Sequence, residues 1–137
     1  MSAVTLTSCS GDDGLSHETF VTKANAICAE AGRKMQEIET RYRDNFDGDI
    51  KKLTQEAGEV GTEQIVDVLA LAPRDAADRA LLDEIKRVND ETQRLVKERP
   101  TDLRDKLQAL AVKATDQMRT QGLTACADQN GTSEESG

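Results

Sequence analysis

Tryptophan is missing from this sequence, histidine occurs once (His17), and the aromatic side chains are Phe20, Tyr42 and Phe46 alone. One histidine excludes a His-rich metal site. Three aromatics exclude a base-stacking platform, and 26 acidic against 18 basic residues exclude a basic nucleic-acid surface. No run of about 18 apolar residues exists, so no segment reads as a membrane span. Gly-x-Ser-x-Gly elbows, phosphate loops and dinucleotide fingerprints are missing too. What is present is 137 residues with a net charge of −8, room for one modest core.

Residues 1–15 are small and polar, centred on Ser10-Gly11-Asp12-Asp13-Gly14, and residues 127–137 have the same character. Such stretches bury too little apolar area to offset ordering entropy, so we expect a flexible tether and a disordered tail. Residues 16–126 between them form the expected domain.

The apolar positions of that domain recur at helical spacing. Phe20, Ala24, Cys28, Ala31, Met35, Ile38 and Tyr42 lie at intervals of three and four, which predicts a helix from Ser16 to about Asp44. Ser16 is its expected N-cap, and Leu15 with Phe20 a hydrophobic staple. A second helix is expected over 49–72, with Ile50, Leu53, Ala57 and Val60 on one face and Ile65, Val68, Leu69 and Ala72 on the next. Gly58 and Gly61 interrupt it, marking either a kink or a close-packed neighbour. After Pro73, with Asp75 as N-cap, Leu81, Ile85, Val88, Thr92 and Leu95 define a third helix over 76–98. Pro100 stops it. Thr101 caps a fourth over 102–121, striped by Leu103, Leu107, Leu110, Ala114 and Met118, and Gly122 stands at its left-handed C′ position. Short connections favour antiparallel neighbours, so the expected fold is all-α: an antiparallel up-down-up-down four-helix bundle.

The three cysteines speak to compartment. Leu6-Thr7-Ser8-Cys9 followed by a polar spacer has the form of a bacterial lipobox, making Cys9 the expected lipidation site. Only eight residues precede it, fewer than a signal peptide needs, so the leader reads as truncated. If Met1 is the true start, the chain is instead a cytosolic bundle. Setting Cys9 aside leaves Cys28 and Cys126. In the expected bundle the end of the last helix returns beside the first, about 18 Å along it. A bridge there would stabilise the fold by about 4–5 kcal/mol on the loop-entropy model. The alternative is a buried Cys28 and a free Cys126 thiol.

Phe20-Val21-Thr22-Lys23-Ala24-Asn25-Ala26-Ile27-Cys28-Ala29 and Gly122-Leu123-Thr124-Ala125-Cys126 together resemble segments of small secreted lipoproteins of actinobacterial type. The likeness covers about 15 residues plus the lipobox-like Leu6–Cys9. It implies a Cys28–Cys126 pairing and an address at the outer face of the cell membrane. It implies no activity.

Candidate chemistry is sparse. His17 has no nucleophile in its local motif and reads as a solvated residue. Asp83, Glu84, Asp90 and Glu91 read as a solvated helix face. A four-helix di-metal site needs Glu-x-x-His on two helices, which one histidine excludes. Asn25 is expected to hydrogen-bond the chain leaving the fourth helix near Cys126 rather than a ligand. We therefore expect no enzyme, cofactor, metal or nucleic-acid partner. The expected protein is a lipid-anchored interaction or structural module with an unknown protein partner, contacting membrane only through Cys9. The competing expectation is a small apolar-ligand carrier, its pocket opened by Gly58, Gly61, Ala24, Ala31 and Ala57.

Overall fold

The computed structural model describes residues 14–45 and 50–129. Cys9 and the rest of the lipobox-like segment lie outside the described residues. Four long helices appear: α1 (His17–Asn45), α2 (Ile50–Leu69), α3 (Ala76–Glu98) and α4 (Leu103–Gln121). A short helical segment over 124–129 follows them.

Local chemistry explains the boundaries. Ser16 caps α1, its Oγ accepting the Thr19 N–H at 3.2 Å. Arg99 takes a left-handed φ of 52° at the end of α3, directly before Pro100. Asp102, one residue beyond the expected Thr101, stands at the N-cap position of α4 with no side-chain capping bond, and the helix ends on Gly122 at φ 96°. There the Leu123 N–H donates to the Met118 carbonyl at 2.8 Å, the six-to-one bond of a left-handed helix stop. α2 runs uninterrupted through Gly58 and Gly61, and a Cβ at either would meet nothing within 4 Å. Neither a helix break nor a packed neighbour explains those glycines.

α1 packs on α2 and α3 on α4, while α2 and α3 meet less. The cross-contacts Cys28–Gln64, Lys34–Glu63 and Arg41–Glu56 run in opposite directions along α1 and α2, so that pair is antiparallel. Asp78–Gln121 and Glu84–Lys113 show the same for α3 and α4. The core gathers Phe20, Ala24 and Cys28 of α1, Val68 of α2, Leu81, Leu82 and Ile85 of α3, and Ala114 and Met118 of α4. Every helix therefore contributes the same end, the one remote from the α1–α2 and α3–α4 connections. Ile50, expected on the apolar face of the second helix, is 59 % exposed at the far end.

The packed part is also longer than residues 16–126. Leu15, expected in the tether, donates its N–H to Ala72 at 2.7 Å and accepts the Arg74 N–H at 2.8 Å. Ala127, expected in the tail, is fully buried. Both sit against apolar surface that their own segments do not reveal. Gly14 is required at this contact: its φ is 133°, and a Cβ would lie 2.6 Å from the Ala72 oxygen.

Candidate functional site

Three devices hold the end of the molecule where the core lies. The first is covalent. Cys28 and Cys126 form a disulfide, with their Cα atoms 5.0 Å apart. Both are buried, and the Gln64 amide donates to the Cys28 sulfur at 3.1 Å. α1 and the body of α4 touch little; the chain after Gly122 turns back to reach α1. The contact belongs to residues 122–129, the chain that leaves the fourth helix level with Cys28, as expected.

The second device is Asn25, one turn before Cys28. Its Nδ2 donates to the Gly122 carbonyl at 3.1 Å, and its Oδ1 accepts the Ala125 N–H at 3.0 Å. A single amide thus satisfies a carbonyl and an N–H on the segment that delivers Cys126. The carboxamide sets a donor and an acceptor side by side on one small planar group, which is why this residue type suits the position.

The third device was not legible in the sequence. His17 Nδ1 lies 2.8 Å and 3.0 Å from the two carboxylate oxygens of Asp78, a residue with no exposure. The Gln121 amide donates to Asp78 at 2.9 Å. The start of α1, the first turn of α3 and the last residue of α4 therefore meet on one buried carboxylate. His17 is exposed as expected, its side chain 45 % accessible, and it is in addition tied to Asp78. The Asp78 hydrogen bond is the main influence raising its pKa above 6.5. Desolvation opposes this, and Asp75 and Glu18 add further attraction. An aspartate in a first helical turn is common, and its attraction to the helix N-terminus is an ordinary local effect. Nothing local marks Asp78 as buried.

Among the described residues, His17, Asp75 and Asp78 form the one His/Cys/Asp/Glu group close enough to hold a metal, with ligand atoms within 4.8 Å. An ion there would have to displace the His17–Asp78 bonds, because both Asp78 oxygens are already engaged. The arrangement acts as a clasp between helix ends, with a proton on His17 strengthening it. The neighbouring hydroxyl of Ser16 is turned to Thr19 Oγ1 at 3.0 Å and makes no bond to His17.

No protein-family model matches the chain, and no curated protein or solved structure matches it. The site is read on its own chemistry.

Surface grooves offer little enclosed volume. A 250 Å³ groove between α2, α3 and α4 is lined by Ile65, Ile85, Val88, Leu107, Ala114 and Met118. Of the alanines expected to open a pocket, Ala24 is buried in the core, and Ala31 lines a 270 Å³ surface groove between α1 and α2. A wider, open depression of 740 Å³ follows the outside of α2.

Proposed function

We propose that this chain is an extracytoplasmic interaction module: an antiparallel up-down-up-down four-helix bundle, disulfide-locked, held at the outer membrane face by a lipid on Cys9, and without catalytic activity. The observation that carries the reading is the buried Cys28–Cys126 bridge. It ties the first helix to the segment after the last, and such bonds persist in oxidising compartments. The lipobox-like Leu6–Cys9 spacing supports the anchor. Both antiparallel pairs, α1 with α2 and α3 with α4, support the winding. The acidic balance favours a soluble domain standing off an anionic lipid surface.

The alternative is a carrier of a small apolar ligand, favoured by the groove between α2, α3 and α4. Its 250 Å³ falls below the roughly 300 Å³ at which pockets for such ligands begin. The module is the better reading.

Mass spectrometry without reductant, on protein recovered from cells expressing its own gene, tests the proposal. The expected result is joined Cys28 and Cys126 peptides and a diacylglyceryl group on an N-terminal Cys9. Freely alkylated Cys28 and Cys126, or an unmodified Cys9 in a soluble fraction, would overturn it.

A further inference from the structure

We propose that the outward face of α2 is a docking surface for a cationic amphipathic helix of a partner protein. The proposal rests on the interaction-module reading and names the chemistry of the partner.

At 100° per residue, Glu56, Glu59, Glu63 and Asp67 share an arc of about 80°, and Gly58, Thr62 and Val66 fill the adjoining one. From Leu53 to Pro73 there is no lysine, arginine or histidine. Elsewhere many of the carboxylates are neutralised within their own helix. Glu30 and Glu37 pair with Arg33, Glu84 with Arg87, Asp90 with Lys86, and Glu91 and Glu98 with Arg94. On α2, Glu56 meets Arg41 and Glu63 reaches Lys34 at 3.4 Å, but Glu59 and Asp67 have no partner among the described residues. Past Lys52, α2 itself supplies no basic residue to balance the stripe.

Beside that charge lies a place for apolar contact. Val66 is 58 % exposed, and the 740 Å³ depression runs past Gly58, Thr62 and Val66 to Ile38 of α1. With no side chain at Gly58 and open space above it, a partner backbone can approach closely. From Glu56 to Asp67 the carboxylates span about 17 Å, three helical turns rather than the reach of one ion.

Charge decides the occupant. A second copy would bring the same acidic face against this one. Nucleic acid and anionic lipid are repelled for the same reason. A helix carrying Lys or Arg on one side and small apolar residues on the other complements both arcs, seating in the manner of helix-in-groove recognition.

The test is an NMR titration of the oxidised, isotope-labelled full chain with a synthetic Lys/Leu amphipathic helix of about four turns. Amide shifts are expected to concentrate at Gly58, Thr62 and Val66, and a Glu/Leu peptide of equal length should not bind. Glu59→Lys with Asp67→Lys should weaken binding by about tenfold or more, since charges within an interface set association and register. Asp83→Lys with Asp116→Lys, exposed sites on α3 and α4, makes the same change in net charge and should leave affinity within about twofold. Val66→Ser should weaken binding without altering charge. Equal losses in both double variants, shifts scattered over the whole acidic surface, or self-association through α2 on size exclusion would each overturn the proposal. Such a failure would remove the α2 surface alone, because Cys9 acylation and compartment are read separately by mass spectrometry.

Discussion

His17 and Asp78 set up a proton-dependent tie that can be followed on a single resonance, because the chain has one histidine. Its folded pKa is raised above 6.5, chiefly by the Asp78 hydrogen bond. The native state therefore keeps the proton where the unfolded chain loses it. The stabilisation is complete below about pH 6.5 and fades as pH rises through the folded value. An NMR titration should place His17 above 6.5, and Asp78→Asn should bring it back down. Unfolding by urea at pH 6 and pH 9 should show the wild type losing stability at the higher pH, with His17→Gln flattening that loss. Asn25 makes a different kind of tie. Asn25→Ala leaves the Gly122 carbonyl and the Ala125 N–H without their partner, at a cost of about 1–3 kcal/mol. Thermal unfolding of the oxidised protein would register it, and an unchanged midpoint would show that water replaces the amide. The role of Asn25 was readable from its place one turn before Cys28. The role of Asp78 was not, because its burial comes from helices distant in sequence.

The helices themselves follow closely from periodicity and punctuation. The third spans Ala76–Glu98 as the stripe and the two prolines require, and the ends of the others fall within about three residues of expectation. What periodicity misses is context. Residues 124–129 form a helical turn too short to show a stripe, and Leu123, Cys126 and Ala127 plug the core from there. Gly58 and Gly61 look from sequence like a kink or a contact, but they sit in a continuous helix facing open space. Replacing either with alanine should therefore stabilise the protein by about 0.5–1 kcal/mol, because a helix-interior glycine loses more backbone freedom on folding. Circular dichroism melts of the two variants would check this; a lower midpoint would mean the helix bends there. Gly14→Ala should do the reverse, since its positive φ and the Ala72 oxygen leave no room for a Cβ.

For the whole molecule, the disulfide spans 98 residues and closes almost all of the folded chain into one loop. Losing it in Cys28→Ala/Cys126→Ala should lower stability by about 4–5 kcal/mol on the loop-entropy model, a large share of what a domain of this size holds. Urea unfolding of the double variant would measure the loss. With both sulfurs buried, reductant should act slowly on the folded protein and rapidly in mild urea, where the core end opens. Equal rates in the two conditions would mean the C-terminal segment detaches on its own. Burial of Cys126 depends on residues 122–129 folding back onto α1, so this single end carries the lock, the clasp and most of the core.

Composition and spacing alone determined that this protein is helical, where its four rods run, and which class of residue faces inward, because those properties follow from the 3.6-residue repeat and from capping chemistry. They also singled out Asn25, Gly122 and the two cysteines by position. Tertiary structure decided the rest. It folded the short C-terminal segment back onto α1, buried Asp78 under His17 and Gln121, and left Glu59 and Asp67 on α2 without a counter-charge among the described residues. Each of these depends on which helix ends meet in space, and a one-dimensional repeat carries no record of that.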